Sequence, residues 1–347
     1  MKILLFTTEY RPQHGGVANY YYGLVTALKK AGFAIEILHI SNNIRWWQAW
    51  LLLWRHRADI IWVGNILPLG TAAYLYSRVT GKPYFVSLHG LDINLAVHNK
   101  PNITQRILKR AFFITVNSNY TAGQVPVSIA VDKIIVLYPC PHNRPDKISD
   151  QEKIAFRQQY NLQGKQVLVS VGRLVKRKGI QNVILSLSEL VGEFPNLVYL
   201  IIGDGEYYDS LVDLAKKLNL ADKINFLPAA DDKLVATALA SANIFLLPAL
   251  LNKKDVEGFG IVYLEAGLAA LPVIASPSGG VAEAVLDKQT GYLLKKDNLT
   301  EVIRQLLTDP AKSQAMGHNG RRRAQREFTY QQQIIKLIPW LEKIKKK

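Results

Sequence analysis

Lys2-Ile3-Leu4-Leu5-Phe6-Thr7-Thr8-Glu9-Tyr10-Arg11-Pro12-Gln13-His14-Gly15-Gly16-Val17 carries the chain from an apolar run, through a turn with paired glycines, into an amphipathic stretch over residues 17–31. A short unbroken apolar run bounded by turn residues reads as a strand buried on both faces, and the stretch after it has the helical period. The unit recurs. Residues 35–40, 58–64, 83–88, 112–117 and 133–138 are short, apolar and rich in β-branched or aromatic side chains, with amphipathic stretches such as 104–111 between them. Alternating βα units with near-continuous apolar strands predict an α/β fold whose parallel sheet is covered by helices on both faces.

The second half repeats the plan. Residues 166–171, 198–202, 223–227, 243–247 and 272–275 read as strands, with helices such as 207–218 and 261–270 between them. The polar stretch 139–150 carries Pro139, Pro141 and Pro145 and separates the two series as a hinge. At 347 residues the chain exceeds what one core usually serves. Two Rossmann-like domains are expected, 1–145 and 146–327, followed by a basic helical segment that Pro339 should break. Open parallel sheets bind ligands at the carboxyl ends of their strands, so the cleft between two such domains is the expected reaction site.

Composition narrows the choice of class. Hydrophobic residues make up 49% and charged residues 20%, the proportions of a folded globular chain. The single cysteine, Cys140, excludes an internal disulfide framework and fits a reducing compartment. The first strand is too short for a secretory signal, and no apolar run reaches the length of a membrane span. A cytoplasmic protein is expected. Net charge is +16, concentrated at the front: residues 1–145 hold 15 Lys+Arg against 5 Asp+Glu, and residues 146–347 hold 28 against 22. Such a surface attracts nucleic acid, anionic lipid or a phosphorylated substrate, and charge alone does not choose among them.

Motifs at the strand ends choose better. Gly15 and Gly16 let the backbone approach an anion closely, or serve only a tight βα turn. His89-Gly90-Leu91-Asp92 follows the apolar run 83–88, which puts His89 at a strand's carboxyl end with Asp92 close enough to orient it. An imidazole there can bond sugar hydroxyls or stabilise charge at a reacting carbon; the plainer role is capping the next helix. In Gly172-Arg173-Leu174-Val175-Lys176-Arg177-Lys178-Gly179, four cations fall within six residues at a strand-to-helix junction. A charge run is usually solvated, but Arg173 and Lys178 bracket the turn where Rossmann-type domains hold phosphate. Gly203-Asp204-Gly205-Glu206 lacks the third glycine of a dinucleotide fingerprint and reads as a ligand-adjacent turn.

Asp255-Val256-Glu257-Gly258-Phe259-Gly260-Ile261-Val262-Tyr263-Leu264-Glu265 carries the most chemistry. The amides of Gly258, Phe259, Gly260 and Ile261 precede a helix and can meet a phosphate. Glu257 lies before that helix and Glu265 inside it, spaced to accept hydroxyls on either side of such a phosphate. An apolar helix face interrupted by a carboxylate calls for a partner, which a hydroxyl-bearing ligand supplies. Ser278-Gly279-Gly280-Val281-Ala282-Glu283 and Thr290-Gly291 are further turns, and Glu283 reads as a helix-start glutamate.

Together these segments resemble the retaining GT-B glycosyltransferases of family 4 (group 1), in the right order and over nearly the whole chain. The stretch 255–266 is similar to the phosphatidylinositol-mannoside mannosyltransferases. The resemblance implies two Rossmann-like domains facing across a cleft, with the C-terminal helix, about 328–347, packing back on the first. It further implies that Arg173 and Lys178 hold the diphosphate of a nucleotide sugar, GDP-mannose being the best match. Glu257 would bind the transferred sugar, Glu265 the ribose, and His89 would face the anomeric centre, with Gly15 and Gly16 close to the donor. Tyr138-Pro139-Cys140-Pro141-His142 departs from the Pro-Asn-Gly common in the family, which puts the hinge geometry and its contacts in question.

No Asp-x-Asp element is present and the seven histidines show no metal-ligand spacing, so transfer without metal or other cofactor is expected. Arg45-Trp46-Trp47-Gln48-Ala49-Trp50-Leu51-Leu52-Leu53-Trp54-Arg55-His56-Arg57 holds four of the six tryptophans. It reads either as a membrane-surface helix on the inner face of the cytoplasmic membrane, serving a lipid-linked or glycan acceptor, or as a helix whose tryptophans fill the core. Rival functions are a UDP-sugar transferase, an epimerase or phosphorylase of the same architecture, and a basic nucleic-acid- or membrane-binding protein. Nucleic acid is disfavoured because no recognition motif accompanies the charge.

Overall fold

Six strands of the first half, β1 (Lys2–Thr7), β2 (Ala34–His39), β3 (Ile60–Val63), β4 (Tyr84–Leu88), β5 (Ile114–Val116) and β6 (Ile134–Val136), lie side by side in the order β2-β1-β3-β4-β5-β6. Six more, β7 (Gln166–Val171), β8 (Leu197–Ile202), β9 (Ile224–Leu227), β10 (Ile244–Leu247), β11 (Val273–Ala275) and β12 (Gly291–Leu293), form a second sheet ordered β12-β11-β10-β7-β8-β9. Every strand pairing is parallel. The computed structural model describes residues 1–13, 15–41, 43–228, 231–250, 257–294 and 298–345. His14, Asp255 and Val256 of the motifs above, and the last two lysines, lie outside the described residues.

The chain divides into two compact units. One comprises Met1–Cys140, Glu257–Phe259 and Phe328–Lys347; the other comprises Pro141–Val256 and Gly260–Glu327. In the first unit the strand period sorts side chains to two faces. Leu4, Phe6, Ile61, Val63, Val86 and Leu88 enter a core with the helices Trp46–Leu53, Leu69–Thr80 and Pro101–Arg110. Their neighbours Ile3, Leu5, Ile60, Trp62 and Phe85 enter another, closed by the helices Gly16–Lys30 and Tyr330–Lys345. Tyr330 fixes the entry of the last helix, its hydroxyl donating to the Asn19 carbonyl at 3.1 Å.

Two expectations need correction. The C-terminal helix runs through Pro339. Proline frees the carbonyl four residues back, here that of Ile335, and both residues are exposed, so water meets the freed group. The second sheet also gains β12, a three-residue edge strand hidden in the Thr290-Gly291 turn signal. It begins on the glycine of that turn signal, so it has no apolar run ahead of it to mark a strand.

All six tryptophans (46, 47, 50, 54, 62 and 340) belong to the first unit, so their fluorescence reports that unit alone. Leu337 is fully buried against its sheet. Leu337→Ala will lower the stability read by tryptophan fluorescence in urea by about 2–5 kcal/mol, the usual cost of such a cavity. An unchanged midpoint would mean that the last helix does not support this core.

Candidate active site

In the first unit the strand order reverses direction between β1 and β3, and the residues leaving these strands converge there. Gly15 and Gly16 open the helix Gly16–Lys30 and are exposed. One turn on, fully buried Tyr21 directs its hydroxyl at the Gly64 carbonyl, 2.6 Å away, just past β3. The same hydroxyl lies 2.6 Å from Nε2 of His89, which follows β4. The rings of Tyr20 and Tyr21 meet the imidazole edge-on, with centroids 5.2 and 5.3 Å away.

Asp92 orients His89 differently from the expectation. Its Oδ1 accepts the His89 backbone N–H at 2.8 Å, so it fixes the main chain, while the ring is held by Tyr21. Tyr21 had no sequence signal beyond an apolar helix position. Burial pushes His89 down to about 4, leaving a neutral imidazole at neutral pH. Burial also pushes Asp92 up to about 6, against the pull of backbone N–H groups. Glu9, at the end of β1, is raised by burial and then by the charge of Asp92.

The segment Glu257–Phe259 packs with this unit. Ser118 Oγ donates to the Gly258 carbonyl at 3.0 Å, and Phe259 sits between the rings of Tyr138 and Phe328 at 5.3 and 5.7 Å. A methyl on Gly258 would stand 2.7 Å from the His89 carbonyl oxygen, which also accepts from Asn117 Nδ2 at 3.0 Å. Glu257 is half-buried.

In the second unit the order reverses between β7 and β10, and the basic turn leaves β7 at that point. Arg173 is exposed and Lys178 buried. The Gly-x-Gly turn after β8 props this basic turn. Leu174 N–H donates to the Asp204 carbonyl at 2.8 Å and Tyr207 N–H to the Leu174 carbonyl at 3.0 Å. A side chain on Gly203 or Gly205 would stand 1.9 Å from the Gly172 oxygen or 2.2 Å from the Leu174 oxygen. These glycines are thus required by close backbone packing.

Gly260 caps the helix Ile261–Leu268 in the left-handed region, and Glu265 is buried inside that helix. The chain supplies this carboxylate with partners of its own. Oε1 accepts the N–H groups of His142 and Asn143 at 3.1 and 2.9 Å, and Oε2 accepts Asn143 Nδ2 at 3.0 Å. Burial raises its pKa and these bonds pull it back. The atypical hinge therefore has a definite contact, one that the strand-and-turn pattern gave no means to pair with Glu265. Ser278 and Glu283 lie in and beside the short helix Val281–Ala284, with the Glu283 carbonyl taking a bond from Arg323 at 2.7 Å. Among the described residues no three His, Cys, Asp or Glu side chains converge as a metal-ligand set.

The tryptophan helix, Trp46–Leu53, buries Ala49 and Leu53. Trp50 is half-buried, whereas Trp46, Trp47, Leu51 and Trp54 are exposed, as are Arg45, Arg55 and Arg57. The core-filling reading fails for three of the four tryptophans. Among the described residues no helix is long and apolar enough to cross a membrane.

Residues 152–323 match the family model for glycosyl transferases group 1. A GDP-mannose-dependent alpha-(1-6)-phosphatidylinositol monomannoside mannosyltransferase of Mycolicibacterium smegmatis is 30% identical, over 78% of this chain and 72% of its own. The Mycobacterium tuberculosis protein of that description is 26% identical over 98% of each chain. Among solved structures, Anabaena HepE in complex with UDP aligns with a TM-score of 0.79 at 19% identity, covering 98% of this chain and 100% of its own. A sucrose-phosphate synthase of Thermosynechococcus elongatus gives 0.79 at 20% identity, covering 99% and 98%. The chain belongs to the group 1 glycosyltransferases and has their GT-B fold. It is a transferase that uses a nucleotide-sugar donor and an acceptor.

Asp92 gives a test of the site's electrostatics. Its proton is held more tightly in the folded chain than in the unfolded one, so its contribution to stability falls as pH rises from about 4 to about 6. The stability of the wild type minus that of Asp92→Asn should therefore drop across that window and stay level above it. Urea midpoints read by tryptophan fluorescence at a series of pH values check this. A flat difference would mean an ordinary, solvated carboxyl.

Proposed function

We propose that this enzyme transfers mannose from GDP-mannose, with retention of configuration and without a metal ion, to a lipid-linked or glycan acceptor at an anionic membrane surface. The observation that carries the donor is the likeness, over nearly the whole chain, to mannosyltransferases described as GDP-mannose-dependent. On this proposal the roles divide among the residues as follows. Arg173 and Lys178, on the turn at the reversal of the second sheet, are assigned the diphosphate. The amides of Gly258, Phe259, Gly260 and Ile261 join them. Glu257 is assigned the sugar hydroxyls, and Glu265 the ribose. The three hydrogen bonds that Glu265 accepts place two on Oε1 and one on Oε2, so a carboxylate's usual four acceptor positions leave Oε2 room for a hydroxyl. Gly15 and Gly16 are assigned close approach of the backbone to the donor.

Departure of the nucleoside diphosphate builds negative charge on its outer phosphate, and fixed cations and amides stabilise that charge without reorganising. In front-face transfer the acceptor oxygen bonds to the anomeric carbon as the bond from that carbon to the phosphate oxygen breaks. The acceptor's proton passes to the departing phosphate. No protein nucleophile is needed, which leaves Glu257 to the sugar hydroxyls. His89, neutral at working pH, is assigned to the region of the reacting carbon.

Thermal stabilisation and donor hydrolysis across a panel of nucleotide sugars, with EDTA present, test the donor. A selective response to GDP-mannose is expected, lost in Arg173→Ala and Glu265→Ala. Selectivity for a UDP-sugar would overturn the donor assignment, and a response that needs added divalent metal would overturn metal independence.

The exposed tryptophans and arginines around Trp46–Leu53 support membrane docking: indole rings favour the interface and guanidinium groups attract anionic headgroups. The protein should float with vesicles containing phosphatidylglycerol and not with pure phosphatidylcholine. Floating should weaken with salt and fail for the double variant Trp46→Ala/Trp47→Ala. A wild-type protein that stays at the bottom of the gradient with anionic vesicles would sink this part of the proposal.

A further inference from the structure

The bonds around Tyr21 leave one proton arrangement. A carbonyl oxygen only accepts, so the phenolic proton of Tyr21 is committed to Gly64 O at 2.6 Å. The hydroxyl oxygen must then accept from His89, whose Nε2 is also 2.6 Å away. We infer that Tyr21 is a positioning residue that fixes His89 as its Nε2–H tautomer, so that Nδ1 carries a lone pair and meets a ligand purely as a hydrogen-bond acceptor. Among the described residues Nδ1 takes no hydrogen bond, and His89 is only partly buried. The neutral ring agrees with a single ring proton. Neither Asp92 oxygen bonds the ring: Oδ1 accepts the His89 backbone N–H, and Oδ2 has no hydrogen-bond partner among the described residues.

The consequence is selectivity by chemical class. An acceptor-only Nδ1 takes a hydroxyl or amide N–H from a bound sugar and repels a carbonyl or ether oxygen at the same place. Tyr21 and Gly64 together are thus the outer layer of the sugar site. This inference rests on the assignment of His89 to the sugar end of the donor, but its central claim, the tautomer, is measured without any ligand.

The experiment is 15N-detected correlation spectroscopy of histidine-labelled full-length protein, with His89→Gln identifying the resonance among seven histidines. Wild type should show a protonated Nε2 and a bare Nδ1 at His89. Tyr21→Phe should shift the ring toward the Nδ1–H form. Its kcat/KM for the complete donor should drop on the order of tenfold, while a donor analogue deoxygenated at the contacted hydroxyl loses far less. A wild-type Nδ1–H tautomer would overturn the inference, as would a Tyr21→Phe protein with the ring unchanged. If no nucleotide sugar is turned over, the donor assignment fails by itself and the spectrum still decides the tautomer. If Tyr21→Phe does not fold, the wild-type spectrum remains decisive.

Discussion

Burial of the strands on both faces is the constraint from which the site follows. β3, β4, β8 and β10 have no exposed residue, so polar groups have no place along them except as fully bonded pairs. Parallel connection then brings each chain segment off the same edge of its sheet. Glu9, Asn65, His89, Asn117, Arg173 and Asp204 all stand where a strand has just ended or within two residues of that point. At the reversal of strand order the two flanking connections go opposite ways, and space opens between them. The chemistry-bearing residues are therefore gathered by topology before any side chain is chosen.

Once gathered, those groups must satisfy one another. Trp62 donates to Ser87, which shares a hydrogen bond with Thr115, and Tyr21 joins Gly64 to His89. Trp62, Ser87, Thr115 and Tyr21 are buried, so each such bond counts for more than it would in water. The same environment shifts charge. His89 loses its proton readily, and Asp92 holds its own up to about pH 6, above an exposed aspartate. The second unit's edge is different in kind: Arg173, Lys176 and Arg177 reach the surface at least in part, on a turn that rigid glycine contacts hold in shape.

Most of this organisation is legible in the sequence, because it rests on period and punctuation. Eleven of the strands were readable as apolar runs, and the basic turn and the Glu-x7-Glu spacing are local. What was not legible depends on residues distant in the chain. Nothing local in the sequence offers the Glu265 carboxylate a partner; Asn143, 122 residues earlier, provides one. Nothing local in the sequence sets Tyr21 apart from the other residues of its helix, and only the register that brings Gly64 and His89 to one hydroxyl gives it a polar role. Pro339 misled for another reason. Its cost depends on whether the freed carbonyl meets water, which is decided by the face of the helix that docks.

On the proposed reading, the neutrality of His89 has a kinetic meaning. As the glycosidic bond to phosphate breaks, positive charge grows on the anomeric carbon and negative charge on the leaving oxygens. A cation helps the second and opposes the first. At 4 Å and an effective dielectric near 20, a full charge on the imidazole would oppose a full charge on that carbon by about 4 kcal/mol. Since about 1.4 kcal/mol is tenfold in rate, that opposition is worth on the order of a thousandfold. A neutral ring with its lone pair outward avoids the penalty and still bonds a hydroxyl. On this reading the cations that stabilise the leaving group are those of the turn after β7, at the strand-order reversal of the second sheet, where the diphosphate is assigned. Each unit thus sets charge by its own environment: desolvation keeps one imidazole neutral in the first, and exposure keeps a basic turn charged in the second.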